Sequence, residues 1–252
     1  MLGLVFLIPL AFISYTSGDI KFGLIGAFVL LIGILDDIFD LSAIFKLILQ
    51  ISAAGLYFLL FPSTTIFQLF LLVFIFNAFN LSDGIDGLLL SLTFISISCV
   101  FFFYRDPSLL FLFSTMLLLT LVNFPKAKIY LGDTGSHFLG LIFFHFFRAA
   151  FTGVSDFYLL PIFIMICFYP FFDTAFALIR RSIQKKNPMQ GDLKHIHHVL
   201  RGKFGAIRSL ILLISLNLIN NVIFITIYKY VGLKIIPVSS IIIMAIEGFL
   251  LI

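Results

Sequence analysis

Asn77-Ala78-Phe79-Asn80-Leu81-Ser82-Asp83-Gly84-Ile85-Asp86-Gly87-Leu88 closes an almost uncharged apolar run that begins near residue 64, and a second apolar run follows it at once. A continuous apolar run lacks the alternation of a barrel strand and reads as a helix in lipid. Two Asn, two Asp and two Gly gather where the first run ends. Such a knot of polar groups at a membrane surface is expensive unless it is used. A glycine after each carboxylate lets backbone approach a ligand closely, as sugar or phosphate recognition requires. The simpler reading is a polar turn between two helices, but a turn needs only one or two such residues.

Outward from that stretch the rest of the chain is equally apolar. Of its 252 residues 62% are hydrophobic and 11% charged, which excludes a soluble domain. Apolar segments run over 1–15, 22–35, 44–61, 64–80, 87–104, 108–124, 137–151, 157–179, 207–228 and 235–252. The fold class is therefore all-α: a polytopic transmembrane helix bundle of about ten spans, forming one integral-membrane domain over 1–252. Several segments fall short of the ~20 residues a span prefers, which implies local thinning or burial within the bundle. Cys99 and Cys167 each sit inside an apolar run, as packing groups with no metal or redox pattern. The start, Met1-Leu2-Gly3-Leu4-Val5-Phe6, lacks the basic region and cleavage site of a signal peptide.

Ten spans place the loops alternately on two sides. One side receives 36–46, 77–86, 123–136 and 180–208. These four carry most of the 16 Lys and Arg: Lys46, Lys126, Lys128, Arg180, Arg181, Lys185, Lys186, Lys194, Arg201, Lys203 and Arg208. The opposite side holds Lys21, Arg105, Arg148, Lys229 and Lys234. The positive-inside bias puts the four loops and both termini in the cytoplasm. The clustered carboxylates and histidines lie in the same loops.

Three of those loops add chemistry to the Asn77–Leu88 stretch. Asp36-Asp37 with Asp40 end the second segment, where adjacent acids repel unless a cation or ligand sits among them; Mg²⁺ is the natural partner of carboxylates that handle phosphates. Lys46 and Gln50 follow at helical spacing, Lys46 placed to meet an anion or to snorkel. Gly132-Asp133-Thr134-Gly135-Ser136 offers a carboxylate in a turn before a helix, able to ligate a metal or simply to cap. No Gly-Lys-Ser/Thr follows at P-loop spacing. His195-Ile196-His197-His198 lies among Lys and Arg without Cys or an HExxH pattern, which fits anion or sugar binding better than zinc. His137 and His145 fall inside a segment as packed or capping groups, and Asp173 as a paired structural ion. These residues together read as metal-assisted phosphoryl transfer at a bilayer face.

In this order, Asp36-Asp37 with Asp40, Asn77-x-x-Asn80-x-x-Asp83-Gly84-Ile85-Asp86-Gly87-Leu88, Gly132-Asp133-Thr134-Gly135-Ser136 and His195-Ile196-His197-His198 resemble the motifs of the polyprenyl-phosphate N-acetylhexosamine-1-phosphate transferases, over residues 33 to 205. The His-Ile-His-His form is similar to the bacterial undecaprenyl-phosphate N-acetylglucosamine-1-phosphate transferase branch, which starts O-antigen, enterobacterial common antigen, teichoic acid and related glycans. The resemblance implies attack of undecaprenyl phosphate on the β-phosphorus of a UDP-HexNAc, with release of UMP. It implies catalytic roles for Asp36, Asp37 and Asp133, with Asp133 and Asp36 at a Mg²⁺ that Mn²⁺ could replace. Substrate binding falls to Lys46, Asn80, Asp83, Asp86, Asn123, His195, His197, His198 and Arg201. The implied partners are undecaprenyl phosphate, a UDP-HexNAc, the bilayer of a bacterial inner membrane and, from the sister branch, a second copy; no nucleic acid is among them. Members of that family carry further spans before the Asp-Asp motif and a cytoplasmic Gly- and Pro-bearing loop, whereas here two segments precede Asp36. The sister branch making the first lipid intermediate of peptidoglycan, a transporter of phosphorylated compounds, an intramembrane aspartyl protease and a non-catalytic relative are the alternatives. A transporter predicts midplane ionisable groups and pseudo-repeats, and a protease predicts two facing acids deep in spans.

Overall fold

The computed structural model describes residues 2–123, 130–185 and 194–251. Among them there are twelve α-helices and no strand. A 3₁₀ turn, Leu2–Phe6, leads into α1 (Leu7–Ser17), α2 (Ile20–Phe39), α3 (Ala43–Leu60), α4 (Ile66–Ser82), α5 (Leu88–Phe103) and α6 (Ser108–Asn123). Then follow α7 (Gly132–Ala150), α8 (Asp156–Ile166), α9 (Phe168–Ile183), α10 (Ile196–Phe204), α11 (Ala206–Tyr230), a 3₁₀ turn at Leu233–Ile235 and α12 (Ile236–Leu251).

The helix starts are set locally. Asp19 accepts from the Phe22 amide at 3.0 Å, Ser42 from Phe45 at 3.4 Å and Thr65 from Gln68 at 3.2 Å, each satisfying a donor of a first turn. By length and composition α2, α3 and α11 can each cross a bilayer, and α8 with α9 make a fourth crossing if the bent pair is one span. The helices α4, α5 and α6, and α1 with its leading turn, are apolar but shorter. The molecule is thus a membrane helix bundle.

At its centre stands α7, buried from Thr134 to Phe144 and again at Phe146 and Phe147. It packs against α2, α4 and α5. The abundance of phenylalanine, 35 residues, finds its use here. Rings of Phe143, Phe147, Phe151 and Phe163 meet along α7 and α8, with neighbouring centroids 5.2–6.2 Å apart, in stacked, tilted and edge contacts that fill space without polar atoms. A second apolar cluster, Leu88, Leu92, Phe168, Tyr169, Ile196, Leu200, Leu210 and Leu213, fastens α10 to α5, α9 and α11.

Two segments differ from their sequence reading. The run 157–179, expected as one span, breaks at Cys167, where α8 and α9 meet at 103°. A break in lipid leaves carbonyls without helical partners; the Ile166 carbonyl accepts from Ser96 Oγ at 2.9 Å and Asn221 Nδ2 at 3.0 Å instead. Within 180–208, expected as a loop, the histidine run opens the amphipathic helix α10.

Candidate active site

Four elements, α2, α3, α4 and α7, converge at the site. Gly33 on α2 touches the backbone of α7: a Cβ added there would lie 2.3 Å from Thr134 Cα. Small residues allow such close approach of membrane helices. The approach brings the end of α2 to the start of α7. There Asp37 accepts from the Asp133 amide at 2.8 Å, the Thr134 amide at 3.2 Å and Thr134 Oγ1 at 2.6 Å. No side chain at the N-cap position of α7 bonds its first turn, so Asp37 caps it from another helix, aided by the helix dipole. Gly132, at φ +67°, leaves room for that carboxylate, which a Cβ would meet at 2.7 Å. Asp37, expected in a catalytic role, has both oxygens engaged in this cap.

The reacting groups are arranged by it. Lys46 Nζ on α3 lies 2.5 Å from Asp36 Oδ2 and 2.6 Å from Asp133 Oδ2. Asp133 Oδ1 accepts from Asn80 Nδ2 at 2.5 Å, and Asp36 Oδ1 from the Leu41 amide at 3.1 Å. The ammonium therefore bridges two carboxylates from different helices. Behind it, His137 Nδ1 donates to the Asp133 carbonyl at 2.7 Å, Gln50 Nε2 donates to His137 Nε2 at 2.9 Å, and Asn77 Nδ2 donates to Gln50 Oε1 at 2.7 Å. A carbonyl only accepts, so the proton sits on Nδ1. Of the two roles its sequence position offered, packed or capping, His137 takes the packed one.

Asp83 follows α4 in the turn that carries Gly84 and Asp86. Burial, then the charges of Asp133, Asp86 and Asp37, push its carboxyl up to about 7. Gly87, at φ +79°, turns the chain into α5. The histidine run closes over this turn: a Cβ on Gly84 would come within 2.0 Å of His197 Nε2. Burial, more than its charged neighbours, pulls the His197 imidazole down to about 4, so the ring is neutral. Its ring centroid lies 4.2 Å from that of His198 and 5.6 Å from that of His195. Arg201 sits one turn further along α10 on an exposed face. Asn123 ends α6; its side chain, with Lys126, Lys128 and Lys186, lies outside the described residues.

Asp36, Lys46, Asn80 and Asp133 thus form one hydrogen-bonded cluster, and His197 adjoins the Asp83–Asp86 turn. The supporting residues Asn77, Gln50, Thr134, Ser136, Tyr169 and Asp173 were harder to read. Their signal was polarity inside apolar runs, which points to a need for a partner without saying which. Among the described residues no three His, Cys, Asp or Glu converge on one metal position.

The ammonium of Lys46, held between Asp36 and Asp133, thus sits where α2, α3 and α7 come together in a membrane helix bundle. The model of glycosyl transferase family 4 matches residues 20–150, and the chain belongs to that family. It is 32% identical over 200 residues to an undecaprenyl-phosphate alpha-N-acetylglucosaminyl 1-phosphate transferase of Thermotoga maritima, covering 76% of this chain and 65% of the relative. To a probable undecaprenyl-phosphate N-acetylglucosaminyl 1-phosphate transferase of Bacillus subtilis it is 33% identical, covering 74% and 59%. A decaprenyl-phosphate N-acetylglucosaminephosphotransferase of Mycolicibacterium smegmatis is 29% identical, covering 80% and 61%. The chain spans about three fifths of the length of these curated relatives.

Proposed function

We propose that the protein transfers GlcNAc-1-phosphate from UDP-GlcNAc to undecaprenyl phosphate at the cytoplasmic face of a bacterial inner membrane. The observation that carries this reading is Lys46 held between Asp36 and Asp133, with Asn80 on the other Asp133 oxygen. The relatives' names supply the acceptor and the transferred group, the reaction type implies a UDP-sugar donor, and the positive-inside count supports the side. An oxygen of undecaprenyl phosphate attacks the β-phosphorus of UDP-GlcNAc; the bond from that phosphorus to the bridging oxygen breaks, and UMP leaves with the electron pair. Such a transfer asks chiefly for positioning and neutralised charge.

Lys46 binds phosphate oxygens in exchange for one of its carboxylates. Asn80 orients Asp133. Asp36 faces the acceptor phosphate, which needs no strong base because it is largely dianionic near neutral pH. Asp83 and Asp86 hold the nucleotide-sugar, and His195, His197, His198 and Arg201 contact the diphosphate or sugar. Asp133 and Asp36 fit Mg²⁺, an ion bound through one or two carboxylates with substrate phosphates and water completing its shell; a cationic group already stands between them. When bound, the ion neutralises charge on the diphosphate.

The test is to incubate purified protein with undecaprenyl phosphate, Mg²⁺ and radiolabelled UDP-GlcNAc beside Asp133→Ala. Label entering the butanol phase with release of UMP, both lost in the variant, is the expected result. Absence of lipid-linked label from UDP-GlcNAc and every other UDP-HexNAc overturns the reading.

A further inference from the structure

Asp173 lies on α9, below the histidine run, and is 1% exposed. Its Oδ2 accepts from His195 Nδ1 at 2.8 Å and its Oδ1 from the Ile196 amide at 2.8 Å. The second bond caps α10, whose N-cap residue makes no side-chain cap of its own. On the other edge of the His195 ring, Arg181 Nη2 approaches Nε2 at 3.4 Å. A carboxylate only accepts and a guanidinium only donates. The ring between them is therefore neutral, with its proton on Nδ1 and its lone pair on Nε2. Next along α10, Tyr169 Oη lies 2.8 Å from His197 Nδ1, and the Asp173 carboxylate lies 3.8 Å from the same nitrogen. His197 Nε2 is buried without a hydrogen-bond partner and abuts Gly84.

We propose that Asp173 is a positioning residue for the histidine run: it fixes His195 as the Nδ1–H tautomer and anchors the start of α10, so that His197 bears on the Asp83–Asp86 turn. A histidine's useful nitrogen is chosen by the bond its other nitrogen makes, and a buried carboxylate with two fixed bonds makes that choice rigid. The functional consequence rests on the transferase reading; the tautomer does not.

Asp173→Asn separates the two with almost no change in size. The amide oxygen keeps the Ile196 cap while the NH₂ faces His195 Nδ1, which must then accept. The proton moves to Nε2, against the Arg181 donors. In full-length protein labelled with ¹⁵N-histidine and reconstituted in nanodiscs, His195 (assigned with His195→Gln) is expected as Nδ1–H in the wild type and Nε2–H in the variant. Turnover with UDP-GlcNAc is expected to fall about 10–100-fold, as is usual when the partner orienting a functional histidine is lost. Arg181→Met leaves Asp173 in place and is expected to keep Nδ1–H, so the assignment remains testable if Asp173→Asn does not fold. An Nε2–H ring in the wild type, or a changed tautomer with turnover within twofold of wild type, overturns the proposal. If wild type and variant show the expected Nδ1–H and Nε2–H rings but the wild type gives no transfer, the transferase reading falls and the positioning assignment stands, because that readout needs no turnover.

Discussion

Gly33→Ala tests the contact on which the site is built. A Cβ at Gly33 would stand 2.3 Å from Thr134 Cα, 2.6 Å from Thr134 N and 2.9 Å from Asp133 C, where ordinary contact begins at 3.4 Å. All three atoms are backbone, so no side chain can swing aside; α2 and α7 must part by about 1 Å. Asp37, four residues on, then loses hold of the Asp133 and Thr134 amides, now at 2.8 and 3.2 Å. Overpacking costs about 1–3 kcal/mol and a lost cap about 1 kcal/mol more. A displacement of about 1 Å in a catalytic cluster lowers turnover about 100-fold. The assays are the thermal midpoint in detergent and transfer of label from UDP-GlcNAc. Gly55→Ala on α3, where a Cβ meets nothing within 4 Å, is the control, expected neutral or slightly stabilising. A Gly33→Ala protein with wild-type midpoint and turnover within twofold refutes the close packing and the cap that depends on it.

Gln50→Leu strands the buried His137 Nε2 and leaves Asn77 Nδ2 with only the Val73 carbonyl as acceptor, so stability should fall by about 1–3 kcal/mol in chemical denaturation; an unchanged midpoint argues against the relay. Gly84→Ala drives a methyl into His197 Nε2, whose ring is 1% exposed and cannot retreat; equilibrium binding of UDP-GlcNAc should weaken about tenfold or more, and unaltered binding would separate the histidine run from the Asp83–Asp86 turn. His197 titrates at about 4 in the folded protein against an ordinary 6.5. Between those values the unfolded chain takes up the proton and the folded chain does not, so this stability is complete above pH 6.5 and is lost as pH falls toward 4. The effect amounts to at most about 3 kcal/mol; denaturation at pH 7 and pH 4.5 should show it, and His197→Asn should flatten the dependence.

Much of this was legible from residues alone because membrane chemistry leaves few choices. Continuous apolar runs must be helices, since lipid offers no partner for backbone groups. Carboxylates, a lysine and histidines at the ends of such runs must be used or paired. That logic picked out Asp36, Lys46, Asn80, Asp83 and Asp133 before any fold was in view. It could not divide labour between Asp36 and Asp37: neighbours in sequence, they point to different partners, one to Lys46 and the other to the α7 amides. It read Asp173 as a paired ion but not with whom, because its partners lie 22 and 23 residues away.

The break at Cys167 escaped for a related reason. The run on either side is apolar throughout, and the groups that make a bend tolerable, Ser96 and Asn221, belong to α5 and α11. Sequence by itself determined the helical class, the membrane setting and the inventory of reactive groups, because these follow from the solvent each residue can tolerate. Only the tertiary structure decided which carboxylate caps, which one faces the lysine and which tautomer a histidine holds. Those outcomes depend on hydrogen-bond distances between helices far apart in the chain, and a hydrogen bond a few tenths of an ångström too long is no bond at all.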